Sequence, residues 1–398
     1  MPASEPEAAA EAPRAEDRAS PWLAAARAIG AGVAARHADP VDRSGRFPAE
    51  AVAALKTEKL LGILVPESEG GPGAPIAEVV AICHALGQHC ASTAMIFAMH
   101  QIQVACLARH GGPWHRAFLR RIADEQLLLA SATSEAGVGG DIGSSICAIE
   151  GKAGRFALAK EATVVSYGDD SDGILVTARR TPHSAAHDQV LVAVPKGAYV
   201  LELESAWNAL GMRGTCSNDY QLKAAGEMAQ IFPVSFAEIW AQTMLPVSHL
   251  LWSALWCGIA TDAMARARAY VRAEARKKNG EAAIRLAEIS SLLQLMRSNV
   301  VAGLRQYEAA CESSDELLSV PFAVAMNNLK VGSARLAVQV VNHALLICGL
   351  AGYRNDPPYS LARHLRDAHS ASLMVNDDRI LAGTGHLLTT LREDPELL

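Results

Sequence analysis

The run EQLLLASATSEAGVGGD, residues 125–141, is where the chain changes period. Before it, apolar residues recur at helical spacing. From Leu127 onward they come as short continuous runs broken by Gly, Asp, Ser and Pro, the pattern of strands and turns. LLLASAT, ICAIEG, RFALA, GILVTAR, QVLVAVP, YVLELE and DYQLKAA follow one another to about Pro233. The expectation is a middle antiparallel β-barrel or sandwich over residues 126–235.

Upstream, Ser20 supplies an N-cap and Pro21 the first helical position, and Trp22, Leu23, Ala26, Ile29 and Val33 follow on one face. Further helical stretches at 49–60, 76–87, 92–110 and 114–124 make residues 21–125 an N-terminal helical domain. Residues 1–20 are rich in Ala, Glu and Pro and are expected to form a disordered tail, since they bury too little to offset ordering entropy. Downstream, four long helical segments are read at 246–278, 281–312, 320–348 and 359–391. They are expected to pack as a C-terminal four-helix bundle over residues 236–398. The fold class is thus α+β multidomain, in the order helical, β, helical.

Length and composition limit the function classes. At 398 residues the chain has room for two or three domains. With 36 Lys+Arg against 42 Asp+Glu and 5% aromatics, it lacks the basic excess and stacking surface of a nucleic-acid binder. Eight scattered cysteines without a CxxC pair argue against a zinc site or a disulfide framework. The Cys83, His84, His89, Cys90 group reads as helix packing rather than as ligands, so no metal is expected. The apolar runs suggest neither a leader nor a membrane span, and a cytoplasmic chain is the expectation.

Six motifs in order resemble the acyl-CoA dehydrogenase superfamily. LLGILVPE (60–67) with Gly70-Gly71 is similar to that family's GLLGITVPEEYGG, SEAGVGGD (134–141) to TEPGAGSD, and LGMRGTCS (210–217) to GMRGTGS. RKKNG (276–280) stands for RKTFG, GLAGY (349–353) for GGNGY, and RDA (366–368) matches RDA. The resemblance spans roughly Pro21 to Leu391. It implies FAD held between β domain and bundle, an acyl thioester on CoA or a carrier protein, and a homodimer or homotetramer whose partner subunit completes the cofactor site.

The resemblance also assigns residues. Ser134 takes the Thr position that bonds the flavin pyrimidine edge. Counting back from Ile174 puts Ser166 at the hydroxyl approaching flavin N5 and Val164 at the usual Trp; counting forward from Lys160 gives a register about two residues different. Arg276 would reach a pyrophosphate across the dimer, Gly349 and Gly352 would admit the adenosine, and Arg379 falls where the family contacts FAD. The family's catalytic Glu falls on Val375, and the other position from which relatives take a base falls near Ser248. Asp377 and His249 are the local substitutes for that base.

Three readings follow. The first is an FAD-dependent dehydrogenase oxidising the Cα–Cβ bond of an acyl thioester with a non-standard base. The second is a flavin-dependent monooxygenase of the same fold, in which reduced flavin and O2 hydroxylate nitrogen, sulfur or an aromatic ring; the GMRGT element and the missing Glu both suit it. The third is a non-catalytic acyl- or partner-binding relative.

Overall fold

A computed structural model describes residues 20–274, 281–355 and 358–389. Arg276 and nearly all of the segment expected to be a tail, residues 1–19, lie outside the described residues.

The N-terminal unit runs α1 (Pro21–Ile29), α2 (Ala35–Ser44), α3 (Ala49–Thr57), α4 (Ile76–Gly87), α5 (Ala91–His110) and α6 (Pro113–Glu125). Ser20 Oγ accepts from Leu23 N, and Pro21 fills the first turn, where its missing N–H costs nothing. Helix α5 has no solvent-facing polar stripe because it is buried on almost every side, and its polar residues His100, Gln101 and Gln103 are buried with the rest. Its His100 donates Nε2–H to Leu61 O (2.8 Å) and accepts from Leu129 N (3.0 Å), which ties a helical-domain turn to the first strand.

The strands are β1 (Leu129–Ala132), β2 (Glu150–Lys152), β3 (Arg155–Val165), β4 (Gly173–Arg179), β5 (Gln189–Pro195), β6 (Tyr199–Ser205) and β7 (Asn218–Glu227). They form two sheets, β1-β4-β5 and β2-β3-β7-β6. One pair departs from the antiparallel expectation: β1 and β4 run parallel, Leu129 opposite Gly173. The chain between them contributes β2 and β3 to the second sheet before returning, and so long a crossover lets a strand re-enter in the same direction.

The C-terminal unit begins with α7 (Phe236–Ile239) and a wide five-residue π-type turn, Trp240–Met244, running into α8 (Leu245–Ala273). It continues with α9 (Glu281–Ala310), α10 (Ser314–Leu317), α11 (Val320–Cys348), α12 (Leu350–Tyr353), α13 (Ala362–Leu373) and α14 (Asp377–Leu388). The fourth long segment is therefore two helices. Val375 adopts a left-handed φ of +51°, and the Asn376 side chain accepts from Asp378 N and Arg379 N, which caps a new helix instead of continuing the old one.

Helices α4 and α8 approach through glycine. A Cβ on Gly258 would stand 2.4 Å from His84 O, and one on Gly87 would stand 2.4 Å from Leu255 O. The N-terminal unit is thereby seated on the bundle at backbone contact. By length and hydropathy Ala91–His110, Phe236–Ala273 and Val320–Cys348 would each suffice to cross a membrane, contrary to the sequence reading. In the fold the first two spend that apolar surface on the interior, 83% and 94% of their windows being buried, against 50% for the third.

Candidate active site

A cavity of about 900 Å³ lies where α5, the β domain and the bundle meet, within the ~300–1,000 Å³ range of small-molecule sites. One wall is the end of β1 and the loop after it: Ser131, Thr133, Ser134 and residues 139–143. This wall is set from behind by a buried pair. Glu135 accepts from Ser145 Oγ (2.6 Å), Cys147 N (2.6 Å) and Ile146 N (3.2 Å). Lys160, fully buried, lies 3.8 Å from Glu135 and donates to Thr177 O and Oγ1 (2.9 and 2.8 Å) and to Thr133 O (3.4 Å). Burial pulls the Lys160 ammonium down to about 8 against the opposing pull of Glu135.

The second wall comes from β3. Ala162 pairs with Tyr220 but Val165 with Asn218, so β3 spends three steps where β7 spends two. Val164 (φ +54°) and Ser166 line the cavity, and Ala162, bridged to Glu135, does not. Ser166 Oγ lies 2.8 Å from Ser217 Oγ, which lies 2.8 Å from Thr215 Oγ1. The same loop is pinned to α13, since Met212 N donates to Asp367 Oδ1 at 2.7 Å. Burial raises the Asp367 carboxyl to about 6.

The bundle supplies Phe236, Trp240, Met244, Leu245, Ser248 and Trp252 from one side, and Met374, Val375, Asn376 and Arg379 from the break between α13 and α14. The Arg379 guanidinium clasps the rim loop, donating to Gly140 O and to Gly139 O (2.6 Å). Ser248 donates to Leu245 O at 2.8 Å.

The expected residues separate into two groups. Ser134, Ser166 and Arg379 come together on the cavity, as do Val375 and Ser248. The structure does not bring His249 or Asp377 to the cavity wall, which removes the geometric basis for reading either as a base. His249 donates Nδ1–H to Met326 O (3.1 Å), and its Nε2 is shut from solvent without a partner among the described residues. Burial, with the Lys330 charge adding, depresses its imidazole to about 3. Asp377 turns instead to Lys330 Nζ, 2.6 Å away. Gly349 and Gly352 also lie off the cavity. Gly349 closes α11 at φ +57°, ψ −136°, and a Cβ on Gly352 would stand 2.6 Å from Cys348 Cβ.

Several lining residues were not read from the sequence. Gln103 and Met99 sit on α5, where burial on nearly every side leaves no amphipathic stripe to show which face meets the cavity. Trp240 projects from a wide turn that carries no signature in the residue pattern. His187 is the one imidazole on the wall and Asp141 the one carboxylate, among the described residues. Asp141 is engaged by its own turn, accepting from Gly143 N (3.0 Å) and Ser144 Oγ (2.8 Å).

These residues fit a flavin. Ser134, whose hydroxyl has no partner among the described residues, and Ser166 form a polar edge for ring nitrogens and carbonyls. Trp240, Met244 and Trp252 offer apolar faces for a planar ring, and Arg379 stands at the rim where a phosphate would lie.

Comparison with known proteins agrees with this architecture. The acyl-CoA dehydrogenase N-terminal domain family matches residues 18–126, and its C-terminal domain family matches residues 239–383. Cyclohex-1-ene-1-carbonyl-CoA dehydrogenase of Syntrophus aciditrophicus (strain SB) is 22% identical over 347 residues, 85% of this chain and 82% of that one. "Probable FMNH2-dependent monooxygenase SfnC" of Pseudomonas putida is 23% identical over 347 residues, covering 83% and 85%. FMN-bound TdsC, the dibenzothiophene monooxygenase of Paenibacillus sp. A11-2, shares the fold with a TM-score of 0.83 at 17% identity, over 94% of this chain and 98% of that one. The relatives thus include both dehydrogenases and monooxygenases. The chain belongs to the acyl-CoA dehydrogenase superfamily of flavin-dependent oxidoreductases.

Proposed function

We propose that the cavity holds a flavin and that the chain is a monooxygenase, inserting one oxygen atom of O2 into a neutral, largely apolar substrate while the other leaves as water, the two electrons coming from reduced flavin. The observation that carries this reading is the wall itself. By the family resemblance Val375 and Ser248 fall at the two positions from which a base would act; the single lining carboxylate, Asp141, is engaged by its own loop, and the one lining imidazole, His187, lies exposed just before β5 and at neither position. Removal of an α-proton needs a base within hydrogen-bond reach. Oxygen insertion does not.

The chemistry supplied by a reduced flavin, when bound, is the activation of O2. The chain's own residues do the rest. Ser134 would hold the pyrimidine edge, Ser166 would stand at the N5 edge, and Arg379 would neutralise a phosphate, as the resemblance implies for these positions. Met99, Ile102, Phe236, Trp240 and Leu373 exclude water and select a substrate without charge, such as an aromatic heterocycle or a thioether. FAD is the cofactor the motif resemblance favours, with a partner subunit of a dimer or tetramer completing its site. Chromatography of flavin released on denaturation separates FAD from FMN.

Anaerobic addition of butyryl-CoA and octanoyl-CoA to the flavin-loaded protein tests the reaction class. The expected spectrum is that of oxidised flavin, unchanged. Bleaching by either thioester would establish the dehydrogenase reading instead, with His187 or a group off the cavity wall as the base.

A further inference from the structure

A second cavity, of about 430 Å³, opens where the three units meet. Its walls are the end of α2, residues 209–213 of the β domain, and the start of α13 with the segment before it. Among the described residues it shares none with the first cavity. The 209–213 loop reaches α13 at backbone contact, because a Cβ on Gly211 would stand 2.2 Å from Arg366 O. Four arginines line this cavity against two carboxylates: Arg43, Arg213, Arg363 and Arg366 against Asp39 and Asp42.

The ion pairs leave two guanidiniums over. Arg363 Nε donates to Asp39 Oδ1 at 3.2 Å, and Arg366 Nη2 donates to Asp42 Oδ2. Asp42 turns no further acceptor to the cavity, since its Oδ1 is shut from solvent. Arg213 is held by carbonyls instead, Nε on Asp42 O (2.6 Å) and Nη1 on Ala209 O (2.9 Å). Its plane is thus set in advance, other N–H donors stay uncommitted, and no carboxylate among the described residues answers its charge. Arg43, exposed on the last turn of α2, has no partner among them. An excess of two cations, one of them a preset planar group, matches a phosphate monoester, which is largely dianionic above pH ~6. The volume exceeds what phosphate alone would fill. Leu210, 67% exposed on the same wall, offers apolar surface to whatever the phosphate is attached to.

We propose that this cavity is a second ligand site, taking a small organic phosphate monoester, with Arg43 and Arg213 on the phosphate and Leu210 against the organic part. The inference does not depend on the flavin reading, since it uses no residue of the first cavity. A ligand seated here touches α2, the 209–213 loop and α13 at once, so it clamps the three units together and favours the native chain by mass action.

The test is equilibrium dialysis of the full chain near pH ~7.5 and at low ionic strength, where screening is weak, with AMP and ribose 5-phosphate as probes and adenosine as the uncharged control. At least one phosphate probe is expected to bind, one per chain, with a dissociation constant below about 1 mM, and adenosine is expected not to bind. Tighter binding of AMP would assign the site to nucleotides, and equal or tighter binding of ribose 5-phosphate to sugar phosphates. Arg43→Ala, on the exposed surface, and Arg213→Lys, which keeps the charge but not the planar group, should each weaken binding about tenfold. Arg379→Ala, at the rim of the first cavity, should leave it unchanged. No binding of either phosphate up to about 10 mM overturns the proposal. So does an affinity unmoved in both Arg43→Ala and Arg213→Lys, or binding lost in Arg379→Ala, which would place the phosphate in the first cavity.

Discussion

Lys330 Nζ lies 2.6 Å from Asp377 Oδ1, two buried charges from α11 and α14 joined across the bundle. The ammonium also donates to Ala371 O (3.0 Å) and lies 5.7 Å from the centre of the Trp256 ring. Burial lowers the Lys330 pKa, and Asp377 opposes that shift. The pair anchors the start of α14 just after the break at Val375, and so holds that residue against the cavity.

Removing one partner leaves a buried charge unanswered, which costs about 3–5 kcal/mol. Lys330→Met should lower stability by that order in urea melts, and Lys330→Met with Asp377→Leu should recover most of it. Asp377→Asn should lower stability while leaving turnover per folded flavin-loaded molecule within about twofold, as expected for a residue outside the chemistry. A large loss of kcat with stability intact would return Asp377 to the reaction.

Acid should unfold the protein through its buried histidines. Burial depresses His249 to about 3, and His84, His100 and His364 to about 4, from an ordinary value near 6.5. Between about 4 and 6.5 the unfolded chain binds more protons than the native one, so stability falls as pH falls through that window. Thermal melts from pH 7.5 down to 4.5 should show a progressive drop in Tm. His100→Gln should flatten part of it at the expense of neutral-pH stability, because the Leu61 and Leu129 hydrogen bonds are disturbed. A Tm unchanged across this range would contradict the assignment of these rings as neutral.

Gly258 should not accept a side chain. A methyl group would meet His84 O at 2.4 Å, a backbone atom that cannot swing aside. Gly258→Ala is expected to cost about 1–3 kcal/mol, of the order of overpacking in a close-packed core. Gly383→Ala, on α14 with open space at its Cβ, is the matched control and should be neutral or slightly stabilising.

Arg379 joins the α14 start to the rim loop through Gly139 O and Gly140 O. Arg379→Ala should loosen that loop and remove a positive charge from the proposed phosphate end, weakening flavin binding about tenfold, or ~1.4 kcal/mol. Fluorescence titration with FMN and FAD reads the change.

Much of this fold is legible in the residues. The period change at Gln126 and the Ser20-Pro21 start are local signals, and each marks an element in the structure. Ser134, Ser166 and Arg379 were placed by motif and meet on one cavity. What escaped were relations between distant residues and backbone states without a residue signature. Val375 carries a β-branched side chain at positive φ, which no propensity favours, so the fourth segment reads as one helix. Asp377 and His249 looked available because their partners, Lys330 and the Met326 carbonyl, lie on α11, remote in sequence. The parallel β1–β4 pair follows from a crossover, not from the alternation of either strand.

The measurement that bears most directly on the central claim is mass spectrometry of products formed under 18O2. Flavin-loaded protein is reduced and mixed with 18O2 and a panel of neutral aromatic heterocycles and thioethers. The account predicts a product carrying a single 18O atom, formed only with protein present. Products from none of the panel, together with an acyl thioester that bleaches the flavin anaerobically and yields its unsaturated thioester without 18O, would contradict it.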